Sequence, residues 1–134
     1  MLTPYDTETI LHNLLDSATS LNGEVYAGDD TRPTNDNGEA ITIKTIDLLC
    51  DTTPQIGTSV VNVYVPYTNK RINGVDTKSE NRRRLRQLSN EVLAVLRAAK
   101  IAGVLITPGN VTTIDEPSIE QHYVNIRVEW NICI

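Results

Sequence analysis

The sequence contains no phenylalanine, and it has a single methionine and a single tryptophan among its 134 residues. A hydrophobic core must therefore be built mainly from valine, isoleucine and leucine. Two of these three residue types are β-branched, and branched side chains pack well on the pleated surface of a sheet. The composition thus predicts a fold rich in β-strands.

Long apolar runs are also lacking, since none approaches the roughly 18 residues that a membrane-spanning helix requires. The first residues show neither the basic start nor the apolar centre of a secretory signal, so we expect no export and no membrane partner. Two cysteines, Cys50 and Cys133, are too few for a disulfide-stabilised secreted scaffold. We expect both to be buried, reduced thiols rather than a disulfide.

Motifs of the common catalytic and cofactor-binding sites are missing as well. The sequence has no glycine-rich phosphate loop, no serine nucleophile elbow and no zinc-binding pair of histidines on a helix. His12 and His122 have no partner at ligand spacing, and we expect His122 at a rim or an interface. We therefore expect no enzymatic activity, no cofactor and no metal site. A nucleophile, base and acid brought together in space from distant residues is the alternative that residue order leaves open.

Hydrophobic periodicity divides the chain into two helices and five strands. Thr3 and Pro4 begin an amphipathic first helix, and a capping box from Thr77 to Glu80 precedes a second helix that reaches Ala99. The closing strand places seven residues, mostly apolar, on one face and five on the other. The order α-β-β-β-α-β-β predicts a single α+β domain, residues 1–134, whose mostly antiparallel sheet has both helices packed on one side.

Two polar segments interrupt the periodic pattern. Residues 28–39 are almost all turn formers and acids, which predicts an exposed, mobile loop, and residues 67–76 form a second polar loop. Between these segments the apolar alternation changes phase near Lys44 and Thr45. The change indicates either a β-bulge or a strand that is buried on both faces at one end.

Charge is segregated along the chain. The formal net charge is −5, but residues 1–51 carry −8, residues 52–103 carry +6 and residues 104–134 carry −3. Seven of the twelve basic residues fall between Lys70 and Arg86, and four of these are arginines at the start of the second helix. Cations oppose the helix dipole at that end, which favours an external acidic partner.

We interpret the two charged segments as a contact between copies of the chain, in which the acidic loop of one copy meets the basic segment of the next. The residues assigned to this interface are Asp29, Asp30, Asp36, Glu39, Lys70, Arg71, Arg82, Arg83, Arg84 and Arg86. Nucleic acid is the alternative partner of the basic segment. We favour it less, because the sequence pI is about 4.9 and no aromatic residues are interleaved with these bases.

Three segments and the order of elements resemble the tail terminator, or tail-completion, proteins of long-tailed bacteriophages. The segments are Gly23–Tyr26 (GEVY) after the first helix, Val60–Pro66 (VVNVYVP) leading to the second helix, and His122–Val128 (HYVNIRV) in the closing strand. The resemblance covers nearly the whole chain as a pattern of elements, without a diagnostic motif.

The resemblance implies a non-enzymatic α+β subunit that assembles into a ring, commonly a hexamer, at the head-proximal end of the tail tube. There it would stop tube polymerisation and bind head-completion proteins, in the virion tail and, during assembly, in the cytoplasm of the bacterial host. Another head–tail connector or a baseplate component is the alternative within the same particles. Because a channel that passes DNA is seldom strongly basic, Arg82–Arg86 should lie away from the lumen of such a ring.

Overall fold

Two helices and seven strands make up the part of the chain that the computed structural model describes, which is residues 1–28 and 31–134 apart from the side chains of Lys70 and Ile72. In chain order the elements are α1 (Pro4–Leu15), β1 (Gly23–Ala27), β2 (Glu39–Leu48), β3 (Gln55–Pro66), β4 (Thr68–Ile72), β5 (Val75–Ser79), α2 (Arg82–Ala98), β6 (Val104–Glu116), a short 3-10 turn (Pro117–Ile119) and β7 (Gln121–Ile132).

Five strands form the main sheet in the order β1-β2-β3-β7-β6. Strand β1 pairs parallel to β2, and the other three pairings are antiparallel. Both helices pack on one face of this sheet, where leucines of α1 and α2 contact the inward residues of β2, β3 and β7. The predicted α+β class and the order of the main elements are confirmed.

Helix α1 begins as the sequence predicts. The Thr3 side chain accepts a hydrogen bond from the Asp6 amide, and the Asp6 carboxylate accepts one of 2.7 Å from the Thr3 amide. This capping box and Pro4 at the first helical position satisfy donors that would otherwise lack partners. The hydrogen bonds from Thr3 hold the pKa of Asp6 below its usual range.

The predicted bulge and closing strand are also present. The pairing of β2 with β3 shifts register between Thr45 and Asp47, which accounts for the change of phase in the sequence. Strand β7 buries every second residue from Val124 to Ile132 against the helices. Gly23 allows β1 to reach β2, because a Cβ atom at this position would lie 1.9 Å from the Glu39 carbonyl oxygen.

A chain of buried hydroxyl groups crosses this core. The indole N–H of Trp130 donates to Ser59 Oγ at 2.8 Å, Ser59 Oγ lies 2.7 Å from Thr45 Oγ1, and Thr45 Oγ1 lies 2.6 Å from Thr7 Oγ1. This series of hydroxyl groups ends at Thr7, which donates a hydrogen bond to the Pro4 carbonyl oxygen. Because an indole can only donate and a carbonyl can only accept, every hydroxyl in between donates in the same direction. The network thereby joins α1, β2, β3 and β7.

The polar segment after β3 is a hairpin, so the predicted loop at residues 67–76 is wrong. Strands β4 and β5 pair antiparallel around Asn73 and Gly74, both of which have positive φ. Asparagine followed by glycine is a strong hairpin signal because both residues tolerate the left-handed region that the tight turn needs. The predicted capping box is wrong for the same reason: Thr77 lies in β5, and Asn81 caps α2 through a hydrogen bond from the Arg84 amide.

The cysteine prediction is wrong with respect to burial. Cys50 and Cys133 are both exposed, and they do not form a disulfide. Each lies just beyond the last paired residue of a strand, β2 and β7 respectively, where the alternation no longer places a side chain against the helices.

Candidate functional site

The structure describes eight of the ten predicted interface residues and distributes them over three regions. Asp29 and Asp30 lie outside the described residues. Asp36 lies in the loop before β2, and Glu39 begins β2. Lys70 and Arg71 lie on β4, where the Arg71 side chain is exposed and that of Lys70 is outside the description. The remaining four residues, Arg82, Arg83, Arg84 and Arg86, begin α2.

Glu39 and Arg84 pair with each other inside one chain. The guanidinium group donates two hydrogen bonds, from Nε to Oε2 at 2.7 Å and from Nη2 to Oε1 at 2.8 Å. The hydrogen bonds from Arg84 lower the pKa of Glu39, and those to Glu39 raise the pKa of Arg84. This bidentate contact joins the start of α2 to the start of β2. Glu39 and Arg84, which we assigned to a contact between copies, therefore have partners within one chain.

The acidic loop is held against the sheet by Arg32, a residue that the sequence analysis did not single out. Its side chain is only 9% exposed and donates from Nε to Asp36 Oδ2 at 3.2 Å and from Nη2 to Gln121 Oε1 at 2.9 Å. Its guanidinium carbon lies 4.6 Å from the centre of the Tyr64 ring. Arg32 therefore holds residues 31–38 against the face of the sheet opposite the helices, and most of these residues are exposed as predicted.

Asp36 belongs to the same arrangement. Burial raises the pKa of its carboxyl group, but hydrogen bonds from the Gly38 amide and from Arg32 outweigh burial, so the pKa is lowered overall. Arg32 is the single basic residue within residues 24–39. Because an isolated cation among acids is a natural internal partner, its position was the signal from which this pairing could have been predicted.

The other three arginines at the start of α2 line one groove. Arg82, Arg83 and Arg86 are exposed and, together with Val111 and Thr113 of β6, they border a groove of about 760 Å³ between α2 and the second half of β6. Within the described part of the chain, no acidic side chain forms an ion pair with these three arginines. The four arginines at the start of α2 do not share one direction, since Arg84 points away to Glu39.

Strand β6 forms one wall of this groove and one edge of the sheet. It pairs with β7 along its length, with a register shift between Pro108 and Val111, and no other described strand pairs with it along its outer side. Val111 is 48% exposed although it is on the face of the sheet that carries the helices. An edge strand of this length with free backbone groups is a ready acceptor for a further strand.

The β4–β5 hairpin is anchored to the rest of the protein at its base. Tyr67 donates a hydrogen bond from its hydroxyl to Asp115, and Lys78 forms an ion pair with Glu120. The tip is exposed, and Val75 there is 64% accessible to solvent. The hairpin is thus an arm on the surface beside the start of α2.

Tyr67, Asp115 and His122 are the closest approach to a catalytic arrangement in the described residues. The hydrogen bond to Asp115 raises the pKa of Tyr67 to about 12, so the phenol keeps its proton at neutral pH. His122 Nε2 lies 3.5 Å from the same carboxylate oxygen, and the two rings are 4.9 Å apart. The four concave regions described for the surface do not include these three residues. Their contacts join the base of the hairpin to β6 and β7.

Clusters of metal-ligating side chains and membrane-spanning helices are both missing from the described residues. Over residues 1–28 and 31–134, no three histidine, cysteine, aspartate or glutamate side chains converge as a metal site would require. None of the described helices combines the length and the apolar character needed to cross a bilayer. The chain matches no protein-family model and no curated protein.

Proposed function

We propose that this protein is a non-enzymatic structural subunit of a phage or prophage tail, a tail terminator that forms a ring, caps the tail tube and joins it to the head. The proposal starts from the resemblance in the order of elements. It places the protein in the virion tail, with assembly in the cytoplasm of the bacterial host, and it requires no cofactor.

The observation that carries the proposal is the separation of charge between the two ends of the sheet. Strand β1 forms one edge, with α1 packed on β1 and β2, and neither element contains a lysine or an arginine. Strand β6 forms the other edge and ends in two acids, Asp115 and Glu116. Helix α2, which packs on β3, β6 and β7, carries five arginines against Glu91, so this end keeps a positive excess. A subunit with opposite charges at opposite ends suits head-to-tail contacts, which close into a ring when the rotation between subunits allows it.

Two further features support a role in assembly. The outer side of β6 leaves backbone donors and acceptors without a partner strand in the described chain, and the hairpin arm presents Val75 to solvent. Both are surfaces that a neighbouring subunit, the tail tube or a head-completion protein would cover. In such a ring, the arginines at the start of α2 lie at a contact between subunits and away from the DNA channel.

The proposal is tested by measuring assembly and by genetics. Light scattering after size-exclusion chromatography should show mass rising with concentration, and negative-stain microscopy should show closed rings. Deletion of the gene from its phage or prophage should give tail tubes of uncontrolled length without heads. Tails of normal length that fail to join heads would indicate another connector instead, and loss of tube initiation would indicate a baseplate component. A protein that stays monomeric, with no effect of its deletion on tails, contradicts the proposal.

Nucleic acid binding is the second candidate function, because Arg82, Arg83 and Arg86 lie together beside one groove. Phosphate contacts by these arginines require an affinity that falls steeply with salt concentration. A labelled duplex or single strand that does not bind at low salt would exclude this candidate.

A further inference from the structure

We infer that the groove between α2 and the second half of β6 receives the β1 edge of a second copy of this chain. The inference rests on the proposed ring and specifies which surfaces meet in it. It assigns the arginines of the groove, the outer side of β6 and the acidic residues around β1 to one interface.

The groove is incomplete in a single chain. Val111 and Thr113 are on the face of the sheet that the helices cover, yet both are exposed, whereas Val124 on the neighbouring strand is only 5% exposed. The apolar cover over the sheet therefore ends between β7 and β6 in this region. An additional element beside α2 would continue it.

The backbone of β6 favours a strand as the neighbour. After the register shift, residues 111–116 pair with β7 on one side, and their other side faces no described strand. The six residues match the length of β1, which has five residues, Gly23–Ala27, and forms the opposite edge of the sheet. Addition of β1 from a second copy would continue the sheet across the contact.

The charges at the two edges are complementary. Arg82, Arg83 and Arg86 line the groove beside β6 together with one acid, Glu80, and strand β6 itself ends in Asp115 and Glu116. At the other edge Glu24 is an exposed residue of β1, Asp16 borders a depression with Gly23 at the start of β1, and Glu8 borders one with Ala27 at its end. Lys44 also lines the latter depression, so the acidic excess is greatest near Asp16 and Glu24.

The placement of the helices fits the same arrangement. Helices α1 and α2 lie on one face of the sheet, α1 over β1 and α2 towards β6. Within one copy β1 runs antiparallel to β6, so when β1 of the next copy adds antiparallel to β6, α1 of that copy lies on the same face as α2 of the first. Asp16 at the end of α1 then lies on the side of the sheet that carries the arginines of the groove, whereas Glu24 lies on the opposite face, because Val25 faces the helices.

The test uses two charge-reversal variants of the full chain. One variant carries R82E, R83E and R86E in the groove, and the other carries D16K and E24K at the β1 edge. The matched control carries R97E, K100E and R127E. It replaces three exposed bases outside the groove, so its net charge changes by the same amount as that of the groove variant. Circular dichroism melting curves establish that every variant is folded.

Each reversal variant alone should associate at least roughly tenfold more weakly than the wild type, as measured by light scattering over a concentration series. An equimolar mixture of the two variants should recover assembly, because the reversed groove of one fits the reversed edge of the other. The control should assemble like the wild type once salt screens its added charge.

The outcomes separate the inference from the proposed function. If the wild type forms rings and the groove variant does so equally well, this interface is wrong and the ring stands. If the wild type remains monomeric throughout, the inference is wrong, and the proposed function is wrong as well when deletion of the gene leaves the tails unchanged. If the groove variant loses binding to a labelled DNA but assembles normally, the occupant of the groove is nucleic acid and the inference is overturned.

Discussion

Strands β6 and β7 are neighbours of nearly equal length, with 13 and 12 residues, yet they differ in almost every other respect. Strand β7 lies between β3 and β6 and buries alternate side chains under the helices, whereas in β6 only Ile106 is buried. The two strands share a ladder of hydrogen bonds, so pairing alone does not account for the difference. The two strands differ in what packs against them. Strand β7 has a neighbouring strand on each side and a helix over one face. The second half of β6 has no described strand on its outer side, and its helix-facing residues remain exposed.

The largest expected effect comes from truncating the core face of β7. Ile126 is fully buried, and replacing it with alanine should lower the free energy of unfolding by about 2–5 kcal/mol because a cavity remains. Leu105 on β6 is 61% exposed, and Leu105→Ala should change the free energy by less than about 0.5 kcal/mol. Urea unfolding of both variants provides the measurement. Equal losses would show that β6 is as well covered as β7.

An intermediate loss of stability is expected when the buried side chain of Trp130 on β7 loses its hydrogen-bond acceptor. Ser59→Ala leaves the buried indole N–H of Trp130 without its acceptor and interrupts the hydroxyl chain to Thr45. We expect a loss of about 1–3 kcal/mol, since an unsatisfied buried donor keeps its desolvation cost. Ser118→Ala, at an exposed position in the turn between β6 and β7, is the control and should be close to neutral. A neutral Ser59→Ala would contradict the role of the network.

The smallest effect is expected at the contact between Glu39 and Arg84, and it depends on pH. The pKa of Glu39 is lowered in the folded chain, so its stabilisation is present above its ordinary value of 4.5 and is lost as pH falls through the folded value. Glu39→Gln should therefore cost about 1 kcal/mol at pH 7 and progressively less below pH 4.5. Thermal melts of both proteins across this range test the prediction, and a difference that is constant with pH would refute it.

The fold was predictable from the sequence where one face of an element is fully covered. The strict alternation of β7 reflects burial on a single side, and the cap of α1 depends only on its neighbouring residues 3–6. Both predictions are confirmed. The β4–β5 hairpin was missed because its side chains are largely exposed and carry no apolar alternation. Its turn residues, Asn73 and Gly74, were the signal available.

The candidate site was less predictable for a physical reason. Charge segregation along the sequence correctly separates an acidic region from a basic one, but side-chain pairing is decided in space. Glu39 finds Arg84 across 45 residues, and Arg32 finds Gln121 across 89. Only the structure separates these internally paired residues from Arg82, Arg83 and Arg86, which border the groove.

Hydrogen exchange at different protein concentrations tests the central claim, self-assembly through the open edge of the sheet, most directly. In dilute protein the outward amides of residues 111–116 should exchange rapidly, while those of β7 should be strongly protected. At concentrations where light scattering reports assembly, we expect the amides of residues 111–116 and of β1 to become protected, with little change in β7. Assembly that leaves exchange in both edge strands unchanged would contradict the account.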